Sequence, residues 1–194
     1  DSADEANYTV KFVNGTLTVK ALTDEIVVTA NSKTKTYDGK SLSDNGVTVD
    51  GQLAEGDHVV ATVVGEITDK GTTPNTITEL KVLDKNGNDV TAKYPNLTKK
   101  DGVLEITPAT LTITANSDSK YYDGTALTNN GYTQTGLVAG DEIASVTIEG
   151  SQTDVGSSDN KVTGMTFKDS ADEANYDVKF VDGTLTVKAL TDEI

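Results

Sequence analysis

Few residues in this chain have chemistry to offer. His58 is the only histidine, and a general base needs a positioned partner. The equivalent place after the second Gly-Asp pair holds Glu142, so His58 reads as an exposed turn residue. Asp84-Lys85-Asn86-Gly87-Asn88-Asp89 alternates oxygen-bearing side chains like the opening of a calcium loop. The twelfth position of an EF-hand-type loop carries a bidentate glutamate, whereas this chain has Pro95 there. A tight hairpin tip rich in Asn and Gly accounts for the same letters. Tyr37-Asp38-Gly39 and Tyr122-Asp123-Gly124 recur, which invites a binding reading. The structural account is an Asp-Gly turn, with the tyrosine ring closing one end of a small core and its hydroxyl finding a backbone partner. Asn-X-Thr occurs at Asn7, Asn14 and Asn96 and reads as coincidence in a Thr-rich chain. No nucleophile with a base, acid/base pair or metal cluster emerges. Hence no catalytic, cofactor-binding or metal residue is assigned, no cofactor is expected, and the chain is not expected to be an enzyme.

Composition narrows the partners. The formal net charge is -15, so a nucleic-acid backbone or an anionic membrane surface repels the chain. Cysteine is absent, which removes disulfides, thiolate metal sites and a cysteine nucleophile. Any extracellular stability must then come from sheet cores. No apolar run approaches the roughly 20 residues of a membrane span, and no signal peptide is visible.

The elements that must position these residues are strands. Residues 1–26 recur as residues 169–194, with Thr9/Asp177 and Asn14/Asp182 the differing positions. Duplication this close marks a tandem array. A weaker repeat aligns residues 26–31 and Tyr37-Asp38-Gly39 with residues 111–116 and Tyr122-Asp123-Gly124. It continues through Gly56-Asp57 and Gly140-Asp141, Gly71 and Gly156, Tyr94 and Tyr176, and Asp101-Gly102 and Asp182-Gly183. Two sister domains follow, at 27–108 and 109–190, with 1–22 as the closing strands of a preceding sister. Tyr176, Val178 and Phe180 alternate with Asp177, Lys179 and Val181 up to Asp182-Gly183, and Leu185 and Val187 alternate with Thr184 and Thr186 after it. This predicts a β-hairpin, and so does Tyr8–Val19 around Asn14-Gly15. Residues 59–64 and 144–148 read as buried strands, and Gly164 as a bulge. No window carries helical periodicity; the acidic segment before Tyr8 and Tyr176 suits one short turn. The expectation is an all-β chain of tandem small antiparallel β-sandwich (Ig-like) domains placed end to end, with β-grasp-like modules as the alternative. Connectors as short as Pro108 leave no slack for folding back, so the array is expected to be a rod.

The ordered run of Tyr-Asp-Gly, Gly-Asp, a Gly before a strand, Ala-Asn-Tyr and Asp-Gly-Thr-Leu-Thr-Val resembles the YDG/MBG-type repeats of bacterial surface proteins. It appears at Tyr122-Asp123-Gly124, Gly140-Asp141, Gly156, Ala174-Asn175-Tyr176 and residues 182–187. The first domain has Ala92-Lys93-Tyr94 in place of Ala-Asn-Tyr. The resemblance implies extracellular modules of large, often wall-anchored adhesins, with no enzymatic residues. Surface repeats of this kind sometimes carry Lys–Asn isopeptide crosslinks, for which Lys179 or Lys120 with Asn175 and Glu173 would be candidates. The functional expectation is a stalk projecting a distal binding region. The alternative is weak, multivalent glycan- or mucin-binding modules, with a host glycan or protein as ligand. Strand exchange through 1–22 is a further expected contact.

Overall fold

The structure, a computed structural model, describes residues 8–9, 11–20, 23–169 and 172–190. It is all-β: helical turns among these residues are confined to single 3-10 turns at Thr91–Lys93 and Asp172–Asn175. Threonine and valine dominate the strands because branched side chains suit a pleated, half-buried surface.

Seven strands build the first unit: β1 (Ile26–Ala30), β2 (Lys33–Thr36), β3 (Val47–Asp50), β4 (His58–Val64), β5 (Gly71–Leu83), β6 (Leu97–Lys100) and β7 (Gly102–Thr107). Seven more build the second: β8 (Ala109–Ala115), β9 (Asp118–Tyr121), β10 (Tyr132–Thr135), β11 (Ile143–Glu149), β12 (Gly156–Phe167), β13 (Tyr176–Val181) and β14 (Gly183–Lys188). The first unit has sheets ordered β3-β1-β6 and β2-β7-β5-β4, and the second repeats both orders as β10-β8-β13 and β9-β14-β12-β11. Among the described residues no strand of one unit pairs with a strand of the other. In the first unit, Ile26 and Val28 of one sheet bury against Val63, Ile77 and Val82 of the other. Two sheets around one interior make a sandwich rather than a β-grasp module.

The sheets are mixed, not antiparallel. β1 and β6 run parallel, as do β2 and β7, and the second unit repeats this in β8 with β13 and β9 with β14. The expected hairpin at Asp182-Gly183 is therefore absent: β13 pairs with β8, while β14 pairs with β12 and β9 in the other sheet. A two-residue hairpin of type I′ needs positive φ at its centre, and neither Gly102 nor Gly183 has it. Instead the chain runs on through a corner and changes sheets. Beside it, β1–β2 and β8–β9 make the same crossing at Asn31-Ser32 and Asn116-Ser117. The paired corners are tied by Ser32 and Ser117, whose hydroxyls accept the N–H of Val103 and Thr184, each at 3.0 Å. Glycine is required because the two corners touch. A Cβ on Gly183 would lie 2.5 Å from the Asn116 carbonyl oxygen, and one on Gly102 2.4 Å from that of Ala30.

The corner explains a second departure. Residues 8–20 carry nearly the sequence of β13 and β14, yet those described form no strand, and Phe12, Leu17 and Val19 are exposed. In the second unit the same sequence is held by β8, β12 and β9, not by itself, so without such partners it has no reason to pair. Residues 1–7, 10, 21 and 22 lie outside the described residues, as does part of the segment before Tyr176. The strands read as buried, β4 and β11, are half-buried sheet edges, with Val60 and Val64 exposed. The bulge at Gly164 is present: Thr147 faces Gly164 and Ile148 faces Val162, skipping Thr163.

A buried asparagine pins each corner. Asn75 Nδ2 donates to the carbonyls of Asn31 and Asp44 at 2.9 and 2.8 Å; Asn160 Nδ2 does the same to Asn116 and Asn129. Both are fully buried. Each uses its two amide hydrogens to hold the crossing strand against the following loop, beside the backbone bonds from the Asn31 N–H to Gly46 and from the Asn116 N–H to Gly131.

Candidate functional site

Of the residues singled out from the sequence, Tyr37, Asp141, Asn175 and Tyr176 come together where the units meet. Pro108 is the single residue between β7 and β8. Tyr37 follows β2, its N–H donating to the Thr107 carbonyl at 2.8 Å, which sets the Tyr-Asp-Gly loop at the far end of the first unit. Lys35 fastens that loop by donating to the Asp38 carboxylate and the Lys40 carbonyl. In the second unit Lys120 donates to Asp123 and to the Thr125 carbonyl, both at 2.7 Å. The Lys120 ammonium, then the Thr125 hydroxyl and N–H, hold the Asp123 carboxyl well below its usual range.

The near end of the second unit is built around Tyr176, at the start of β13. Its hydroxyl donates to Asp141 Oδ2 at 2.5 Å and accepts the Val138 N–H at 2.9 Å, so the tyrosine closes the Gly140-Asp141 turn. Tyr94 does the same in the first unit, donating to Asp57 at 2.6 Å and accepting from Ala54 at 3.0 Å. Burial first, and then the bond to the carboxylate, push both phenols up. A phenol raised in the fold stays protonated after the unfolded chain has ionised near pH 10, so stability is lost as pH rises beyond that value. The melting midpoint is expected to fall above about pH 10 in the native chain, and less steeply in Tyr176→Phe.

Across the junction the two ends interlock. The Tyr37 and Tyr176 rings meet edge to face at 5.6 Å and 77°, and Phe167 stacks on Tyr176 at 5.1 Å. An edge-to-face pair adds about 0.5–1.5 kcal/mol beyond its buried area. Tyr37 Oη lies 3.5 Å from Asp141 Oδ1. Asn175, 2% exposed, reaches over the seam: its Oδ1 accepts the Lys70 N–H at 2.7 Å and its Nδ2 donates to Asp69 Oδ1 at 3.1 Å. The first unit keeps a core of its own around Ile26, Val28, Ile77 and Val82, while its far end is continuous with the core of the second. Tyr37, Leu42, Leu104 and Ile106 of the first form one apolar cluster with Leu111, Ile113 and Tyr176 of the second. Asn175→Ala strands the Lys70 N–H and is expected to cost about 1–3 kcal/mol by urea titration; a loss under about 0.5 kcal/mol would contradict the bridge.

Other candidates fall elsewhere. His58 is exposed at the start of β4, away from this seam. Asp84 caps its own loop: Oδ1 accepts the N–H groups of Asn86 and Asn88 at 2.8 and 2.9 Å, and Asn88 turns its amide nitrogen towards the carboxylate. That is a hairpin cap, with a donor where a cation would need an oxygen. Among the described residues no three His, Cys, Asp or Glu side chains gather into a metal site. Asn175 is engaged with Asp69 and Lys70, while Lys120 sits in the Tyr-Asp-Gly loop at the opposite end of the unit, so the two do not meet. Glu173 and Lys179 are exposed.

What the sequence did not reveal is that Tyr-Asp-Gly of one unit meets Gly-Asp and Asn-Tyr of the next. The signal was present in the lettering, because Tyr-Asp-Gly, Gly-Asp and the tyrosine recur in both units. Nothing in one-dimensional spacing marks them as opposite ends.

Two seven-strand sandwiches of identical strand order, joined through one residue, define a tandem-repeat β protein. Residues 111–186 match the MBG domain (YGX type), the family whose repeats the sequence resembles. That domain is a repeat-type domain often found in surface proteins. The first unit, outside the matched stretch, shares the strand order and the Tyr-Asp-Gly, Gly-Asp and tyrosine contacts described above. No curated protein matches the chain. Among the described residues no helix is long and apolar enough to cross a membrane.

Proposed function

We propose that this chain is part of the stalk of a bacterial surface adhesin, extracellular and wall-anchored or secreted, whose repeats hold a distal binding region away from the cell. The observation that carries this reading is the shared seam. A one-residue connector, interlocked tyrosines and the Asn175 bridge turn two small domains into one stiff element. A spacer needs length and resistance to bending, and this junction supplies both without a reaction centre. The acidic surface keeps neighbouring stalks soluble and apart, and no enzymatic role is assigned. A second reading, weak multivalent glycan or mucin binding, draws support from exposed Tyr121 and Tyr132, at 59% and 39%. These rings lie outside the interior that strand parity suggests for tyrosine. A glycan array probed with the full chain separates the readings. No reproducible binding is expected of a spacer, and saturable binding lost in Tyr121→Ser would overturn it.

A further inference from the structure

The second unit ends in a copy of the surface that docks the first. Leu127, Leu185 and Val187 form a small apolar cluster standing apart from the rest of the core. They occupy the places of Leu42, Leu104 and Ile106, which in the first unit are continuous with the next domain. Tyr122 matches Tyr37, with its N–H on the Lys188 carbonyl at 2.9 Å, yet it is 40% exposed where Tyr37 is 7%. Val155 and Leu190, beside this end, are also exposed.

We propose that this end is a docking surface for the near end of a unit of the first type, supplied by a second copy of this chain in tandem. Two observations choose the occupant. Residues 189–194 repeat residues 21–26, which lead directly into β1, so the sequence itself continues from a second-type unit into a first-type one. The near end of the first unit carries the required receptor: Tyr94 is bonded to Asp57 as Tyr176 is to Asp141. Leu53, Ala54, Asp57 and Tyr94 line an open pocket there, and Val19 and Lys20, the counterparts of Val187 and Lys188, border it.

The second seam differs from the first in two defined ways. Where Asn175 bridges Asp69 and Lys70, the first unit offers Lys93, and the opposing strand end carries Asp154 and Val155. A neutral amide bridge is thus replaced by an ion pair, Lys93 with Asp154, over an apolar contact of Tyr122 with Tyr94. The connector is also longer. Residues 189–193 separate Lys188 from the counterpart of Ile26, whereas Pro108, Ala109 and Thr110 separate Thr107 from Leu111, the position matching Ile26. The array would then alternate amide-locked seams with ion-paired ones, so its stiffness would depend on salt at every second joint. Exposed ion pairs are screened by salt, whereas the Asn175 bridge is uncharged on one side and buried.

The test is a tandem chain of residues 1–168 followed by residues 1–194, which continues the native repeat. The protein is free of cysteine, so single dyes can be placed at Thr133→Cys in the earlier copy and Lys81→Cys in the later one. Single-molecule energy transfer then reads the spread of distances across the new seam. A narrow spread is expected at low salt, widening about twofold at about 1 M salt. Lys93→Glu or Tyr122→Ala should widen it at low salt, and Lys93→Glu with Asp154→Lys should restore it. A spread insensitive to both single variants would overturn the docking. The inference rests on the tandem reading, but ligand binding on the glycan array would remove the spacer role and leave this result intact.

Discussion

Gly183→Ala is expected to destabilise the second unit by about 3 kcal/mol, the upper end of overpacking costs. The added Cβ would sit 2.5 and 2.6 Å from the carbonyl oxygens of Asn116 and Ala115. Both belong to backbone at the sheet-crossing corner, so no flexible side chain can yield. Relief requires the two corners to separate, which breaks the bond from the Thr184 N–H to the Ser117 hydroxyl and loosens β13 and β14 on their parallel partners. Gly102→Ala should behave alike in the first unit, where its Cβ would lie 2.4 Å from two carbonyl oxygens, those of Ala30 and Asn31. Equilibrium urea unfolding checks both. If these glycines served only a hairpin turn with positive φ, Gly183→Asn would be tolerated; here it should be as damaging as alanine.

Asn160→Asp is expected to be at least as costly, about 3–5 kcal/mol at pH 7, the range for an uncompensated buried charge. The change keeps size and shape but removes both donors, setting a carboxyl group against the carbonyls of Asn116 and Asn129 at a fully buried position. Burial without a donor raises the folded pKa of the new carboxyl above its unfolded value near 3.9. The folded state therefore binds more protons, and stability falls as pH rises from about 4 towards 7, by up to about 1.4 kcal/mol per unit. Melting midpoints across that window should drop in Asn160→Asp while the native chain changes little. Asn160→Ala, without a titrating group, should lose stability with no such slope.

Why these residues matter was only partly legible in the letters. Alternation along Leu185 and Val187 identified that strand and its buried face, because period two follows from the pleat itself. The all-β class and the duplication followed directly. Asp-Gly misled. Between alternating runs it signals a hairpin, but a glycine needed for close backbone approach is written with the same letter as one needed for positive φ. Only the neighbouring corner, more than sixty residues away in sequence, distinguishes them. That error also produced the antiparallel expectation, since a hairpin forces antiparallel pairing and a corner does not. Asn75 and Asn160 stand at matching places of the repeat, but nothing local distinguishes an asparagine that pins a bend from one that makes a loop. The seam was invisible for a related reason: Tyr37 and Tyr176 are far apart in the chain, and each looked complete within its own motif.

A stalk requires the seam to fix the two units end to end. Small-angle X-ray scattering of the native chain tests this most directly. One unit should have a radius of gyration near 12 Å, and the sheet-crossing strands imply a centre-to-centre spacing of roughly 35–40 Å. The paired units should then give about 21–23 Å, with an elongated pair-distance distribution that Tyr37→Ala broadens. A value near 16 Å, that of a single globule of the same length, would contradict it.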